Sequence, residues 1–343
     1  MKQFILHSWI LCLLVVMTGC SKDDAGAVDS AQSPIEFTTD GPAHFITRSV
    51  IDDLNDLKES DAGFGVLAYY TDTYTWDLCD GSGDVGHTSK VAPNFMYNQQ
   101  VKWSTDHWTY SPVKYWPNDN NPADDGGATG SQTKSYVSFF AYAPYNGTGI
   151  ALSNNTATGA PTVTYTWEPE NDFLYAAPLL DRYKYDDSGD ANDDGRIGDA
   201  VSFTFQHALA LVNFKVRRSS ATWYDVKVKN LTVSGFYGSG TFDLGTSSWT
   251  PIGERDQQRS YSYNKNVSAD IDLMCSWLMI PATSTPPANV LSYTITYTIG
   301  PKENTKTDYI SLTSYEMGNQ YNIIFNIDSD GIIVETTKFT EQW

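Results

Sequence analysis

The chain has 343 residues, of which 14% are aromatic and only 18% are charged, and its formal net charge is -19. A negative charge of this size repels phosphate backbones and anionic lipid surfaces, so we expect no nucleic-acid partner. The length suits two domains, and the abundance of Tyr, Trp, Thr, Gly and Asn favours pleated sheets joined by turns, which predicts an all-β fold.

The first twenty residues have the pattern of a secretion signal. Lys2 gives a basic start, residues 9–17 form an apolar run, and small residues lead to Cys20. The run is too short to be a spanning helix and predicts a signal peptide over residues 1–19. Residues 16–20 resemble a lipobox, in which Cys20 would be acylated, for example with palmitate, and become the new N-terminus. An ordinary signal peptide cut near Cys20 is the alternative.

A short leader follows the signal. Residues 21–24 resemble the acidic tag of outer-membrane lipoproteins, and Ile35 and Phe37 alternate as in a short strand that ends at a Gly-Pro turn. Arg48 stands in an extended, basic-poor stretch, where a trypsin-like protease could cut before Ser49. An ordinary surface arginine is the alternative interpretation.

The next stretches read as short strands with turns between them, over residues 63–70, 136–145, 163–167 and 172–176, and only residues 51–59 could form a helical turn or two. Aromatic residues are dense between Trp108 and Trp116. Such a cluster fits either a glycan-stacking platform or the core and surface of a sheet.

The most acidic loop, residues 186–199, contains half of a calcium-binding pattern. Asp190, Asn192 and Asp194 supply oxygen ligands at positions one, three and five, and a glycine follows at position six. Position twelve, which normally carries a bidentate glutamate, is Val201, although Asp199 could substitute. The sequence leaves open a Ca²⁺ site or a solvated acidic turn.

Residues 203–216 read as a continuous strand at the joint between two domains. The apolar residues of this stretch share one parity: Ala208, Ala210, Val212, Phe214 and Val216. His207, Asn213 and Lys215 take the other parity, as expected for a half-buried strand. We predict an N-terminal β-sandwich over residues 49–205 and a C-terminal one over residues 206–330.

The C-terminal half has regular two-residue periodicity. The residues predicted to face the core are Tyr293, Ile295, Tyr297 and Ile299, followed by Tyr321, Ile323, Phe325 and Ile327. A change of parity after Val228 predicts a β-bulge near Lys229 and Asn230. A last extended piece covers residues 331–343.

We find no pattern of an enzyme in the sequence. The chain has no Gly-x-Ser-x-Gly elbow, no phosphate-binding loop and no His-Glu-x-x-His, and His207 reads as a structural histidine. We therefore expect no enzymatic activity and no cofactor apart from the Ca²⁺ that the acidic loop leaves open.

Several short sequence motifs, in this order along the chain, resemble those of the fimbrillin family, the subunits of type V pili of Bacteroidales-type bacteria. They are Thr47-Arg48 and residues 108–116, 140–145, 172–176, 205–216 and 318–321. The resemblance implies two transthyretin-like Greek-key β-sandwich domains, export as a lipoprotein, and cleavage after Arg48 that removes residues 20–48.

Loss of the leader would remove Ile35 and Phe37 and open an apolar groove, which an extended segment of a neighbouring subunit could refill by strand addition. The candidate donor is residues 331–343, and the sequence leaves two sets of inserted side chains open: Ile332 with Val334, or Ile333 with Phe339. Such a contact is heterologous and need not close, so it gives a filament of copies and other pilus subunits.

Other functions fit the same sequence. The chain could be a surface lipoprotein that does not polymerise, either an anchor or tip subunit or a module that binds glycan or host protein through Trp108 and Trp116. A weaker hypothesis is a calcium-dependent adhesin at a pilus tip. Both alternatives keep the protein at the cell surface.

Overall fold

The structure is a computed structural model that describes residues 34–40, 54–59, 61–72, 74–79, 91–117, 135–183, 200–283 and 288–339. No helix in these residues is long and apolar enough to cross a membrane. The elements are α1 (Leu54–Glu59), α2 (Trp76–Cys79), β1 (Phe37–Asp40), β2 (Phe64–Asp72), β3 (Met96–Ser104), β4 (His107–Thr109), β5 (Tyr136–Ala143), β6 (Ile150–Leu152), β7 (Thr162–Thr166), β8 (Leu174–Ala176), β9 (Leu179–Arg182), β10 (Val201–His207), β11 (Ala210–Arg218), β12 (Val226–Phe236), β13 (Ser239–Asp243), β14 (Ser248–Ile252), β15 (Gln257–Val267), β16 (Asp272–Met279), β17 (Ala282–Thr283), β18 (Ser292–Ile299), β19 (Lys302–Tyr309), β20 (Ser314–Tyr315), β21 (Gln320–Asp328) and β22 (Gly331–Phe339).

The N-terminal half is built on one large sheet with the strand order β1-β10-β8-β5-β2-β3-β4, and β9 also pairs with β5. Neighbouring residues of β5, such as Phe139 and Phe140, point to opposite faces, yet both are fully buried. The sheet therefore has an apolar cluster on each face, which explains why its central strands read as continuous apolar runs.

One of these two clusters is covered by a four-stranded sheet with the order β14-β13-β7-β6. The β13–β14 hairpin follows β10 in sequence, but β13 pairs with β7, so that Phe242 lies opposite Val163. Residues on both sides of position 205 thus contribute to one sheet. The domain boundary at residues 205 and 206 stays a prediction.

The C-terminal half is a sandwich of two four-stranded sheets, β16-β11-β21-β22 and β15-β12-β18-β19. Its core includes Phe214, Trp277, Ile295 and Phe325. The all-β sandwich architecture predicted from the sequence is confirmed. The bulge is confirmed as well, because the register of β12 against both its neighbours shifts between Val228 and Asn230.

The predicted continuous strand at residues 203–216 is two strands, β10 and β11, with a bend at Ala208 and Leu209. Neither residue of the bend pairs with a neighbouring strand, because the backbone groups of both form hydrogen bonds with other segments. The amide of Ala208 donates to Phe173 O at 2.9 Å, and the amide of Gly318 donates to Leu209 O at 2.8 Å. Trp249 Nε1 also donates to Ala208 O at 2.6 Å. The bend carries the chain from the N-terminal sheet into the C-terminal one.

The predicted solvent-facing parity at this joint is wrong for His207 and Asn213, which are both buried. His207 Nδ1 lies 2.9 Å from Oδ2 of the equally buried Asp172. Asn213 Nδ2 donates to Asn322 Oδ1 at 3.0 Å, and its Oδ1 accepts from Ser276 at 2.6 Å. Partners from distant segments offset the cost of burying these polar groups.

Candidate functional site

The segment around β1 fills a slot between β10 on one side and residues 108–115 on the other. It runs parallel to β10, with Phe37 opposite Val201 and Asp40 opposite Thr204. The amide of Val201 donates to Glu36 O at 2.7 Å. On the second side, the amide of Ile35 donates to Lys114 O at 2.9 Å. The backbone of this segment is therefore bonded on both sides.

Further contacts at the outer end of the slot belong to Pro34, which forms an isolated antiparallel bridge with Tyr115. This end is the one farther from the bend at Ala208, because β10 runs from Val201 towards the bend and β1 runs in the same direction. We call it the mouth of the slot, formed by residues 113–115 and by Val201.

The side chains of Ile35 and Phe37 are inserted into the N-terminal core, with 1% and 4% of their surface exposed. The Phe37 ring stacks on Phe203, with centroids 5.8 Å apart. It also meets Tyr110 at 5.2 Å and Phe64 at 6.3 Å. Fully burying side chains of this size contributes roughly 1.5–3 kcal/mol each, as an upper estimate.

Polar side chains of the slot wall hold the inserted segment as well. Trp108 Nε1 donates to Thr39 Oγ1 at 3.0 Å, and the hydroxyl of Tyr110 donates to Ile35 O at 2.8 Å. Burial raises the pKa of the Tyr110 phenol above its usual value. Removal of residues 34–40 would leave both donors without these partners and would expose the rings of the slot wall, which costs free energy.

Strand β22, the described part of the candidate donor, forms an edge of the C-terminal sandwich. It pairs antiparallel with β21, from Gly331 opposite Asp328 to Phe339 opposite Gln320. Ile332 and Val334 are only partly buried against the core. Ile333 is 66% exposed and Phe339 is 46% exposed. In this fold, therefore, Ile332 and Val334 share the inward face and Ile333 lies on the outward face.

Two ion pairs connect β22 to other parts of the chain, one to β11 and one to the residue that follows β20. Arg217 Nη2 donates to both carboxylate oxygens of Glu335, at 3.0 and 3.2 Å. Lys338 Nζ lies 2.7 Å from Glu316 Oε2, and this hydrogen bond raises the pKa of Lys338. All four side chains are more than a third exposed, so each pair contributes at most about 1 kcal/mol.

Trp108 and Trp116, the residues of the predicted glycan platform, are buried in the N-terminal core. Trp108 meets Phe64 edge-on at 4.9 Å and Trp116 meets Phe139 at 5.8 Å. Their faces are occupied by other rings and cannot stack on a sugar. The part of the glycan hypothesis that depends on these two residues is wrong.

Other predicted site residues lie outside the described part of the chain. These are Cys20, Arg48, Ser49, Asp190, Asn192 and Asp194. The described residues contain no group of three or more His, Cys, Asp or Glu that could hold a metal ion. Acylation, cleavage and Ca²⁺ binding therefore stay predictions.

The sequence did not identify the wall that holds β1. Tyr110 and Lys114 were part of an aromatic phrase without an assigned role, and their pairing with Ile35 joins segments about 75 residues apart in sequence. Pro112 within that stretch is typical of a strand edge or a bend, which is compatible with a wall that pairs with an inserted strand.

Comparison with known proteins gives consistent matches. A family profile described as fimbrillin-like matches residues 130–343. The fimbrium subunit Fim1C of Phocaeicola vulgatus is 30% identical over 190 residues, which are 53% of this chain and 44% of that protein. The matched region thus spans less than half the length of this relative.

Solved structures match over most of the chain. A fimbrial protein from Bacteroides vulgatus gives a TM-score of 0.61 at 20% identity, covering 89% of this chain and 98% of that one. A candidate cell adhesion protein from Bacteroides uniformis gives a TM-score of 0.50 at 14% identity, covering 90% and 98%. At these identities the likeness shows a shared fold.

Proposed function

Because the chain belongs to the fimbrillin-like family, we propose that it is a structural subunit of a type V pilus, namely a stalk subunit that serves adhesion at the cell surface. In this proposal the chain is exported as an outer-membrane lipoprotein through Cys20 and is cleaved between Arg48 and Ser49. It then polymerises by exchange of β22 for β1 and joins the extracellular fimbrium.

The observation that carries the proposal is the double-sided slot of β1. A segment that lies in the leader, at residues 34–40, supplies a strand and two almost fully buried side chains to the N-terminal core. Cleavage after Arg48 would remove that strand from a finished fold. The emptied slot would have free backbone groups on β10 and on residues 113–115, which favours strand addition by another chain.

The spacing of apolar residues supports Ile332 and Val334 as the inserted pair. They are two residues apart, as are Ile35 and Phe37, and they already share the inward face of β22. The opposite face of β22 carries Glu335 between Ile333 and Phe339. Insertion of that face would bury an unpaired carboxylate, which is strongly unfavourable.

The directions of the strands support an end-to-end filament. The mouth of the slot is at the start of β10, and the turn before β22 is at the end of β11 and β21. The mouth therefore lies where the β10–β11 segment begins, and the turn lies where this segment ends. A β22 that swings out at its turn would leave the fold at one end and fill a slot at the other end of the next copy.

A second candidate function is a subunit that keeps its leader and does not polymerise, such as an anchor or a tip adhesin. The favouring observation is that both exchangeable strands are seated in the same chain, with β1 in the slot and β22 on β21. Such a subunit would remain acylated at Cys20 in the outer membrane.

The test is the intact mass and N-terminal sequence of the protein sheared from cells. A start at Ser49, together with an Arg48→Ala variant that remains acylated and unpolymerised, is the expected result. Thr47→Ala is the matched control and should be cleaved and assembled like the wild type. A wild-type protein that starts at acylated Cys20 would contradict the stalk subunit and favour the anchor or tip subunit.

A further inference from the structure

The loop between β11 and β12 exposes two large aromatic side chains. Trp223 is 95% exposed and Tyr224 is 63% exposed. Exposure of a whole indole on a folded protein is uncommon, because tryptophan gains more than most side chains from burial. We call these two residues the aromatic tip.

The aromatic tip lies beside the turn from which β22 starts. The amide of Ser219, at the start of the loop, donates to Ile327 O at 2.8 Å, and the amide of Gly300 donates to Asp225 O at 2.8 Å. These bonds tie both ends of the loop to the ends of β21 and β18. Tyr224 lines the same surface cavity as Asp330 and Gly331.

A second exposed apolar pair lies at the mouth of the slot. Val113 and Tyr115 are each 47% exposed, and the bridge from Tyr115 to Pro34 marks the outermost pairing of the inserted segment. Lys114 lies between them, and its carbonyl accepts the hydrogen bond from the amide of Ile35.

The register of the exchange brings these two surfaces together. If Ile332 takes the position of Ile35, Gly331 takes the position of Pro34 and lies opposite Tyr115 of the next copy. One residue of extended chain spans about 3.3 Å, so the turn at residues 328–330 of the donor, beside which the aromatic tip lies, comes within roughly 10 Å of that mouth. A linker this short leaves no room to keep the two copies apart.

We propose that Trp223 and Tyr224 are a docking surface for the next copy of this chain and pack against Val113 and Tyr115 at the mouth of its slot. The proposal rests on the proposed function, since β22 must leave its own sheet first. It assigns the aromatic tip to the contact between successive subunits, outside the exchanged strand.

Charge favours the same arrangement. The turn before β22 carries Asp328 and Asp330, and the mouth carries Lys114. The chain has 41 acidic and 22 basic residues, so two copies repel each other over most of their surfaces. The ammonium of Lys114, which lies 5.7 Å from the centre of the Phe95 ring, would supply a local attraction for this turn that helps to fix the orientation of docking.

The experiment uses the full chain after removal of its leader by a trypsin-like protease, with polymer formation followed by sedimentation and electron microscopy. Trp223→Ala and Tyr115→Ala should each weaken assembly about tenfold or more, as expected for aromatic residues at the centre of an interface. Tyr309→Ala is the matched control, because Tyr309 is 66% exposed but lies at the end of β19 away from the aromatic tip. It should assemble like the wild type.

A cross-linking experiment adds a direct distance test. Chains with Trp223→Cys are mixed with chains that carry Tyr115→Cys, in a background without the other cysteines, and are treated with a short bifunctional maleimide. Dimers between the two kinds of chain are expected, and Tyr309→Cys in place of Trp223→Cys should give none.

The outcomes separate this inference from the proposed function. If Trp223→Ala and Tyr115→Ala assemble like Tyr309→Ala and no cross-link forms, while deletion of β22 still prevents assembly, only the docking surface is contradicted. A glycan or a host protein bound at Trp223 would give this result. If assembly does not depend on β22, the strand exchange itself is contradicted. An unchanged melting temperature of the uncleaved Trp223→Ala chain excludes misfolding as the cause of a loss.

Discussion

The segment at residues 34–40 is bonded on two sides, through β1 to β10 and through Pro34 and Ile35 to residues 114 and 115. Strand β22, in contrast, pairs only with β21 and forms the edge of its sheet. Ile35 and Phe37 are almost fully buried, but Ile332 and Val334 are only partly so. Ring contacts and donors from the wall hold β1, and half-exposed ion pairs hold β22. The fold therefore loses much more on removal of β1 than on detachment of β22.

In the proposed strand exchange, this difference would supply a driving force for assembly. A β22 that left its own sheet would give up partial burial and exposed ion pairs, and it would gain a slot with aromatic walls in the next copy. The exchange would be favourable only after β1 has gone, because the slot is filled until then. Cleavage would thus act as the trigger.

The largest effect is expected from a charge on the face of β22 that, in the proposed exchange, enters the slot. Val334→Asp would carry a carboxylate into the apolar slot, so assembly of leaderless chains should fall by about a thousandfold or more. Ile333→Asp is the matched control, because this residue is exposed in the monomer and lies on the other face. Sedimentation of the two variants measures the effect, and equal loss in both would contradict the assignment of the inward face.

The next largest effect concerns the hold on β1. Phe37→Ala in the uncleaved chain removes a side chain with four ring contacts and should lower the free energy of unfolding by about 3–5 kcal/mol. Denaturant unfolding followed by tryptophan fluorescence gives the value. Thr38→Ala, on the exposed face of β1, should change it by less than about 0.5 kcal/mol. A small effect of Phe37→Ala would show that β1 is not held by its core contacts.

A smaller effect is expected at the slot wall. Tyr110→Phe removes the donor to Ile35 O and should lower the free energy of unfolding of the uncleaved chain by about 1 kcal/mol. Burial raises the pKa of this phenol in the folded state, so its contribution is complete below the ordinary tyrosine pKa of about 10 and is lost as pH rises through the folded value. The difference between wild type and variant should therefore shrink above about pH 10. A constant difference would contradict the role given to the hydroxyl.

The smallest effect belongs to the ion pair of β22. Glu335→Gln weakens the contact with Arg217 and should speed hydrogen exchange of the β22 amides by up to about fivefold, an effect that salt diminishes. Glu303→Gln is a matched control, because Glu303 pairs with Lys229 on another sheet and is similarly exposed. Slower exchange of β22 in Glu335→Gln would be inconsistent with a strand held by this pair.

The sequence predicted best the features that depend on local periodicity. The alternation of Tyr293, Ile295 and Tyr297 and the bulge near Asn230 are found as expected, because each follows from one buried face of one strand. Burial of Ile35 and Phe37 also follows from their alternation in the leader.

Features that depend on contacts between distant segments could not be predicted from the sequence. The pairing of β13 with β7 and the contact between His207 and Asp172 each join parts of the chain that no local pattern connects. The burial of Trp108 was likewise open, since an aromatic cluster has the same composition in a core and on a binding surface. The aromatic tip was missed because Trp223 follows no strand pattern.

The most direct test of the strand exchange is the hydrogen exchange of the Val201 amide in three forms of the chain. In the uncleaved chain it donates to Glu36 O, and in the assembled register its acceptor would be the carbonyl of Ile333 from the next copy. We predict a protected amide in the uncleaved chain, fast exchange in leaderless chains that lack β22, and renewed protection in the polymer. A Val201 amide that exchanges as fast in the polymer as in those leaderless chains would contradict the account.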